Sequence, residues 1–272
     1  MGPNGAIERS LRGLLRALDH TLESEELARR AGLLQLLDPR VKLLGFLGMI
    51  VATAASRRLE AIGAVFAIAL ILALASQVPL RTLLIRVWAG TFAFTGLIAL
   101  PAVFLTPGRS AVHLPMLGWV VTVQGLRSAA YLISRVETTA TLSILLVLCT
   151  PWAHVLKALR VLRVPIVLVV TLGMTYRYIL LMIATAEEMF ESRRSRMVGR
   201  LEARDGRRLA VATAGVLLSK SMQLSGDVYL AMQARGFRGE VYVLDEFWMR
   251  RRDWSWLAVF LALGAAALWM GR

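Results

Sequence analysis

The chain has 272 residues, of which 57% are hydrophobic and 18% charged, and its formal net charge is +14. A soluble domain usually carries about a quarter charged residues, so a soluble globular enzyme fits poorly and a disordered chain is excluded. The apolar residues are clustered: residues 61–80 and 87–108 contain no charge, and about 20 apolar residues cross a bilayer as a helix. The expected fold class is an all-α polytopic membrane protein. The basic excess then reads as the flanking charge of membrane spans. Nucleic-acid binding is not expected, because no basic module with interleaved aromatics stands apart from the apolar segments.

Residues 6–37 read as one or two amphipathic helices, with Leu11, Leu14, Leu15 and Leu18 at helical spacing and Arg9, Arg12 and Arg16 between them. This segment is expected on the membrane surface or against the rest of the protein. The first 40 residues are charged and lack a continuous apolar core, so no cleavable signal peptide is expected. Asp38-Pro39 then combines an N-cap with a favoured first helical residue. A first span is expected from about residue 39 to 56, with Arg40 and Lys42 snorkelling to lengthen it. A second span runs from about 59 to 78. A third runs from about 87 to 105, with a kink at Pro101. The loop after it, to about residue 125, holds a short candidate strand from Trp119 to Val123.

A fourth span covers about residues 126–149 and carries Arg135 and Glu137. Charges within a span are costly and invite a functional reading. A position near the outer membrane face gives them a structural role instead, and that is the reading preferred here. Thr150-Pro151 starts an interfacial helix, with Trp152, Val155, Leu156, Leu159 and Leu162 on one face and Pro165 at its end. Residues 166–186 resemble another span, but arginine and lysine clusters flank both ends, and a crossing would place one cluster outside. The chain is therefore organised as an N-terminal segment (1–40), four spans (41–150), a basic cytoplasmic block of long helices (151–253) and a final span (254–272). These five spans, with the N-terminus inside, leave Arg57-Arg58 outside, against the charge rule.

The chemistry of an autonomous transporter is missing. None of the three lysines, Lys42, Lys157 and Lys220, follows a glycine, so there is no nucleotide P-loop. Glu137 is the sole acidic candidate for a proton relay, and no internal repeat is visible. The single cysteine, Cys149, excludes an intrachain disulfide and a cysteine metal cluster. His20, His113 and His154 are far apart in sequence, which argues against metal binding by this chain. No catalytic constellation stands out. Energy and substrate selection are expected from other subunits.

Two sites in the basic block remain. Arg193, Arg194, Ser195, Arg196 and Met197 end one helical pattern, and Ala234, Arg235 and Gly236 end another. Arginine's planar fork of donors suits carboxylates and carbonyls on a partner surface. Each site taken singly also fits a routine helix end, with Gly236 as C′ residue and arginine favoured by the helix dipole.

Together these features resemble the transmembrane T components of energy-coupling factor transporters. Leu37-Asp38-Pro39-Arg40-Val41-Lys42-Leu43-Leu44 resembles their N-terminal signature, and Ala234-Arg235-Gly236 the second of their two coupling motifs. Ser195-Arg196-Met197 sits where the first would be and departs from it on both sides of the arginine. Arg196 is the preferred coupling residue there, with Arg194 and Arg193 as alternatives. The long N-terminal segment and Thr171-Leu172-Gly173-Met174-Thr175-Tyr176-Arg177-Tyr178 resemble the cobalt-type branch, CbiQ.

The resemblance implies a non-catalytic coupling subunit in the bacterial plasma (inner) membrane. Two partner ATPase subunits would carry ATP and magnesium. A separate membrane subunit, with or without a small accessory one, would hold the cobalt or nickel ion. No cofactor is expected on this chain. The alternatives are a shared T component serving vitamin-capturing subunits, or an autonomous secondary carrier.

Overall fold

A computed structural model of the protein describes residues 27–28, 32–105, 110–114, 119–196, 203–237 and 251–271. Most of the expected amphipathic N-terminal segment lies outside these residues, as does Met197. The chain divides into two compact units, one of Glu25–Ala158 with Phe247–Arg272 and the other including Leu159–Glu246.

The first unit is a helical bundle. Helix α1 (Pro39–Ala55) begins where the sequence predicts: the Asp38 carboxylate accepts a hydrogen bond from the Arg40 amide at 2.8 Å. Helix α2 (Leu59–Ala75) follows after three residues. Helix α3 (Leu80–Leu83) runs into a π-helical turn (Leu84–Trp88) and then helix α4 (Ala89–Leu105), which continues through Pro101. The expected third span thus starts about seven residues early, because Pro79 serves as its N-cap. Beyond it, β1 (Ser110–Leu114) pairs antiparallel with β2 (Trp119–Thr122), close to the expected strand. Thr122 then caps helix α5 (Val123–Leu148), its side chain accepting from the Gly125 amide at 3.1 Å.

Helix α6 (Trp152–Val161) ends before Pro165. The Arg163 amide donates to the Arg160 carbonyl and the Val164 amide to that of Leu159, with Arg163 at φ 64°. This left-handed closure stops the helix, and the proline merely follows it. The final helix of the bundle, α9 (Arg251–Gly271), comes after α7 (Ile166–Arg196) and α8 (Ala203–Ala234), which belong to the second unit.

Helices α1 and α9 lie parallel. The Asp38 amide donates to Asp253 at 3.3 Å at one end, and the Arg57 amide donates to the Gly271 carbonyl at 2.8 Å at the other. Between these ends the Phe260 ring covers Gly45, where a Cβ would come within 2.7 Å of it. Phe46 packs on Phe260 with ring centroids 5.7 Å apart. Helix α5 runs antiparallel to α1. Its C-terminal Cys149 meets Lys42 near the start of α1, and its Arg135 meets Ser56 at the end of α1. Leu142, Leu145 and Leu148 of α5 join Val41, Phe46, Met49, Val65, Ala69 and Phe260 in the core. Facing outward are Phe94 (69% exposed), Leu97 (67%) and Trp269 (81%). Large apolar side chains so exposed on an apolar bundle face hydrocarbon.

This geometry constrains the topology. Helix α5 ends, and α9 begins, at the same end of the bundle as Asp38. The chain between them therefore crosses the bilayer an even number of times. Ile166–Ser192 is long and apolar enough to cross, as are Val123–Leu148 and Arg251–Gly271, with Leu59–Ala75 and Ala89–Pro101 as shorter apolar helices. A crossing by α7 requires a return, and α8, which carries Arg204, Arg207, Arg208, Lys220 and Asp227, does not qualify as a span. Zero crossings, the number the charge argument expects, satisfies this parity. The molecule is an α-helical multi-pass membrane protein, with one small two-stranded sheet among the described residues.

Candidate coupling site

The second unit is built on a helical hairpin. Lys220 of α8 reaches Thr185 of α7 at 3.4 Å. The six residues joining the helices span at most about 25 Å, so the chain reverses direction. A groove of about 660 Å³ lies between them, lined by Met174, Tyr178 and Met182 on α7 and by Leu224, Val228 and Met232 on α8.

Each long helix ends in an expected arginine. Arg196 is the last residue of α7 and is exposed, and the Ser195 hydroxyl beside it donates to the Ser192 carbonyl at 2.8 Å. Arg193 and Arg194 belong to the same final turn. Arg235 directly follows Ala234, the last residue of α8, and is exposed. The Gly236 amide donates to the Gln233 carbonyl at 2.9 Å and the Phe237 amide to that of Met232 at 3.0 Å. With Gly236 at φ 79°, this pair of bonds is a Schellman closure. No side-chain or backbone atom comes within 4 Å of where a Cβ on Gly236 would lie. The glycine is therefore required by its backbone conformation and not by crowding.

At 1.5 Å per residue, Arg196 and Arg235 lie roughly 16 and 22 Å from the Thr185–Lys220 contact, in opposing directions. The hairpin thus holds its two terminal arginines roughly 35 Å apart. Sequence reasoning found both arginines but not this opposition, which depends on the reversal and on the register set by Thr185 and Lys220.

The N-terminal signature has a different role. Lys42 does not snorkel. It is 1% exposed, and its Nζ donates to the Cys149 carbonyl at 2.9 Å. A lysine at a helix C-terminus satisfies a terminal carbonyl and favours the helix dipole. Asp38 caps α1 and ties it to Asp253, Pro39 is buried at the first helical position, and Arg40 is half-buried. The signature therefore clamps the starts of α1 and α9 to the end of α5.

Arg135 and Glu137 part company. Arg135 donates to the Ser56 carbonyl at 2.9 Å and to the Tyr131 hydroxyl at 2.6 Å, and its guanidinium lies 4.6 Å from the Tyr131 ring centroid. The Tyr131 hydroxyl also donates to Ser56. These bonds satisfy the end of α1, which is a structural role. Glu137 has no such bond: both carboxylate oxygens are enclosed without a hydrogen-bond partner. Among the described residues no three His, Cys, Asp or Glu side chains gather to hold a metal ion.

The family model described as cobalt transport protein, CbiQ, matches residues 31–243. An uncharacterized protein of Methanocaldococcus jannaschii is 31% identical over 243 residues, covering 88% of this chain and 82% of the relative. The cobalt transport protein CbiQ of Rhodobacter capsulatus is 29% identical over 188 residues, covering 67% of this chain and 72% of that protein.

Proposed function

The chain belongs to the CbiQ family of cobalt transport proteins, and from that membership we propose that it is the non-catalytic coupling subunit of an ATP-driven energy-coupling factor importer. The observation that carries this reading is the hairpin of α7 and α8, which ends in exposed Arg196 and Arg235 facing opposite ways. Two such ends suit two copies of one partner. In this reading each arginine enters a groove on one of two ATPase subunits, where its fork of donors meets carboxylates and carbonyls. ATP and magnesium stay on those subunits. The cobalt or nickel ion is captured by a separate membrane subunit, and closure of the ATPases moves the hairpin to reorient it. The membrane is the bacterial plasma membrane, with the hairpin on its cytoplasmic side.

The test is cobalt uptake in cells that depend on this transporter. An arginine seated in a partner groove is worth about 2–5 kcal/mol on truncation, whereas an exposed pair contributes about 0–1 kcal/mol. Arg196→Ala and Arg235→Ala should each cut uptake at least tenfold, and the double variant should nearly abolish it. Arg200→Ala should leave it within a few-fold. Normal uptake by the double variant at normal membrane abundance contradicts the coupling role.

A further inference from the structure

Glu137 is an acid that the coupling reading leaves unused. It sits in the middle of α5, with its two carboxylate oxygens enclosed and unpartnered. Beside it is a cavity of about 390 Å³, lined by Glu137 itself, Phe66, Leu84, Trp88, Ala89 and Phe92. Three features converge there. The first is Glu137, whose carboxylate oxygens are covered in this conformation while the rest of its side chain lines the cavity. The second is aromatic: Phe66 and Trp88 meet at 5.7 Å between ring centroids, with Phe92 on the same wall. Aromatic faces beside a carboxylate attract a cation. The third is the backbone, since Leu84–Trp88 is a π-helical turn, a local rearrangement frequent at functional sites. Trp88 is held in place by its own bond to Thr141 at 3.1 Å.

Depth decides what kind of cation. Counted along α5, Glu137 lies roughly 16 Å from the end at Leu148, and the 17-residue helix α1 beside it is roughly 25 Å long. The carboxylate therefore lies roughly 9 Å short of the other end of α1, where Arg135 holds the Ser56 carbonyl. One carboxylate among aromatic rings is a poor nest for a bare divalent ion, which needs several oxygen or nitrogen ligands. Leu84 (52% exposed) and Phe92 (59%) line the cavity from the outer face of the bundle, and Ile85 (58%) is exposed beside Leu84. An ionisable group at this depth normally pairs with another.

We propose that this cavity receives a lysine or arginine side chain from a transmembrane helix of a partner membrane subunit. Glu137 turns about its own side-chain torsions to meet it, and Phe66, Trp88 and Phe92 flank the cation. The site presupposes a membrane partner, as the coupling reading does, but it is independent of Arg196 and Arg235.

The test places a photo-crosslinking residue at the cavity rim, Ala89→benzoylphenylalanine, in the full chain in its native membrane. Ala89 is exposed, so the substitution meets no packed neighbour. After irradiation the adduct peptide is sequenced. The expected adduct is a transmembrane segment of another subunit with a lysine or arginine within one helical turn of the attachment point. Adding Glu137→Gln should lower its yield about tenfold, the loss expected from one good interhelical polar contact in a membrane. Adducts with lipid alone, with this chain alone or with a segment lacking a basic residue overturn the proposal. So does an adduct whose yield ignores Glu137→Gln. The same membranes report ATPase recovery, so an ATPase recovered without the adduct refutes this site and leaves the coupling reading standing.

Discussion

Lys42 shows how one residue can be assigned to the right helix and the wrong environment. From sequence it is a charge near the start of a short span, and a free lysine there extends toward water. In the fold it turns inward to the Cys149 carbonyl, 107 residues away along the chain, a partner that no local pattern reveals. Lys42→Met keeps the volume and removes the charged bond, leaving a buried carbonyl unpaired. The expected cost is about 2 kcal/mol. Cys149 is fully buried and is the sole cysteine of the chain, so its maleimide labelling in detergent reports the opening directly. Labelling should accelerate severalfold in Lys42→Met, and an unchanged rate contradicts the clamp. Gly236 makes the opposite case, because its C′ position was legible from Ala234-Arg235-Gly236 alone. Gly236→Ala meets open space but a positive φ, at a cost of about 1 kcal/mol, and it redirects Arg235. Uptake should fall in Gly236→Ala and largely persist in Gly236→Asn, since asparagine tolerates the left-handed region. Equal uptake in both variants removes the conformational argument.

At the scale of elements, caps and apolar runs announced most helices. Asp38-Pro39 starts α1, and the uncharged run from residue 61 lies within α2 and its exit. Two details were not legible. Helix α6 stops at Arg163 in a left-handed conformation that a sequence-based reading assigns to glycine or asparagine first. The π-helical turn at Leu84–Trp88 has no sequence signature, and it straddles Arg86 and the start of the uncharged run at Val87. The packing of α1 on α9 was also out of reach, because Gly45 and Phe260 lie in separate apolar segments with nothing to pair them. Gly45→Ala drives a methyl group into the Phe260 ring and should destabilise the bundle by about 1–3 kcal/mol. Phe260→Leu in the same chain should restore part of that loss. Thermal unfolding in detergent measures both, and a Gly45→Ala midpoint equal to that of the parent contradicts this packing.

For the whole molecule, charge argues against a crossing by α7, and bundle geometry requires an even number of crossings between α5 and α9. Arginine and lysine clusters flank residues 166–186 on both sides. The structure adds parity, because α5 ends and α9 begins at one end of the bundle. With Cys149→Ser as background, single cysteines at Leu162 and Ser195 should react with an impermeant maleimide in inside-out vesicles and not in intact cells. Labelling of Ser195→Cys from outside would mean that α7 crosses. The opposition of Arg196 and Arg235 belongs to this scale too, since each was visible in its own motif while their separation emerges when the hairpin is assembled.

The central claim, that this hairpin couples an ATPase to a membrane-embedded substrate subunit, is tested most directly by mild-detergent purification of the tagged chain from its native membrane, followed by mass spectrometry. The account predicts that an ATPase and a small membrane subunit come with the parent chain, and that the Arg196→Ala, Arg235→Ala double variant loses the ATPase while keeping the membrane subunit. A chain that purifies alone, or a double variant that retains the ATPase in full, contradicts it.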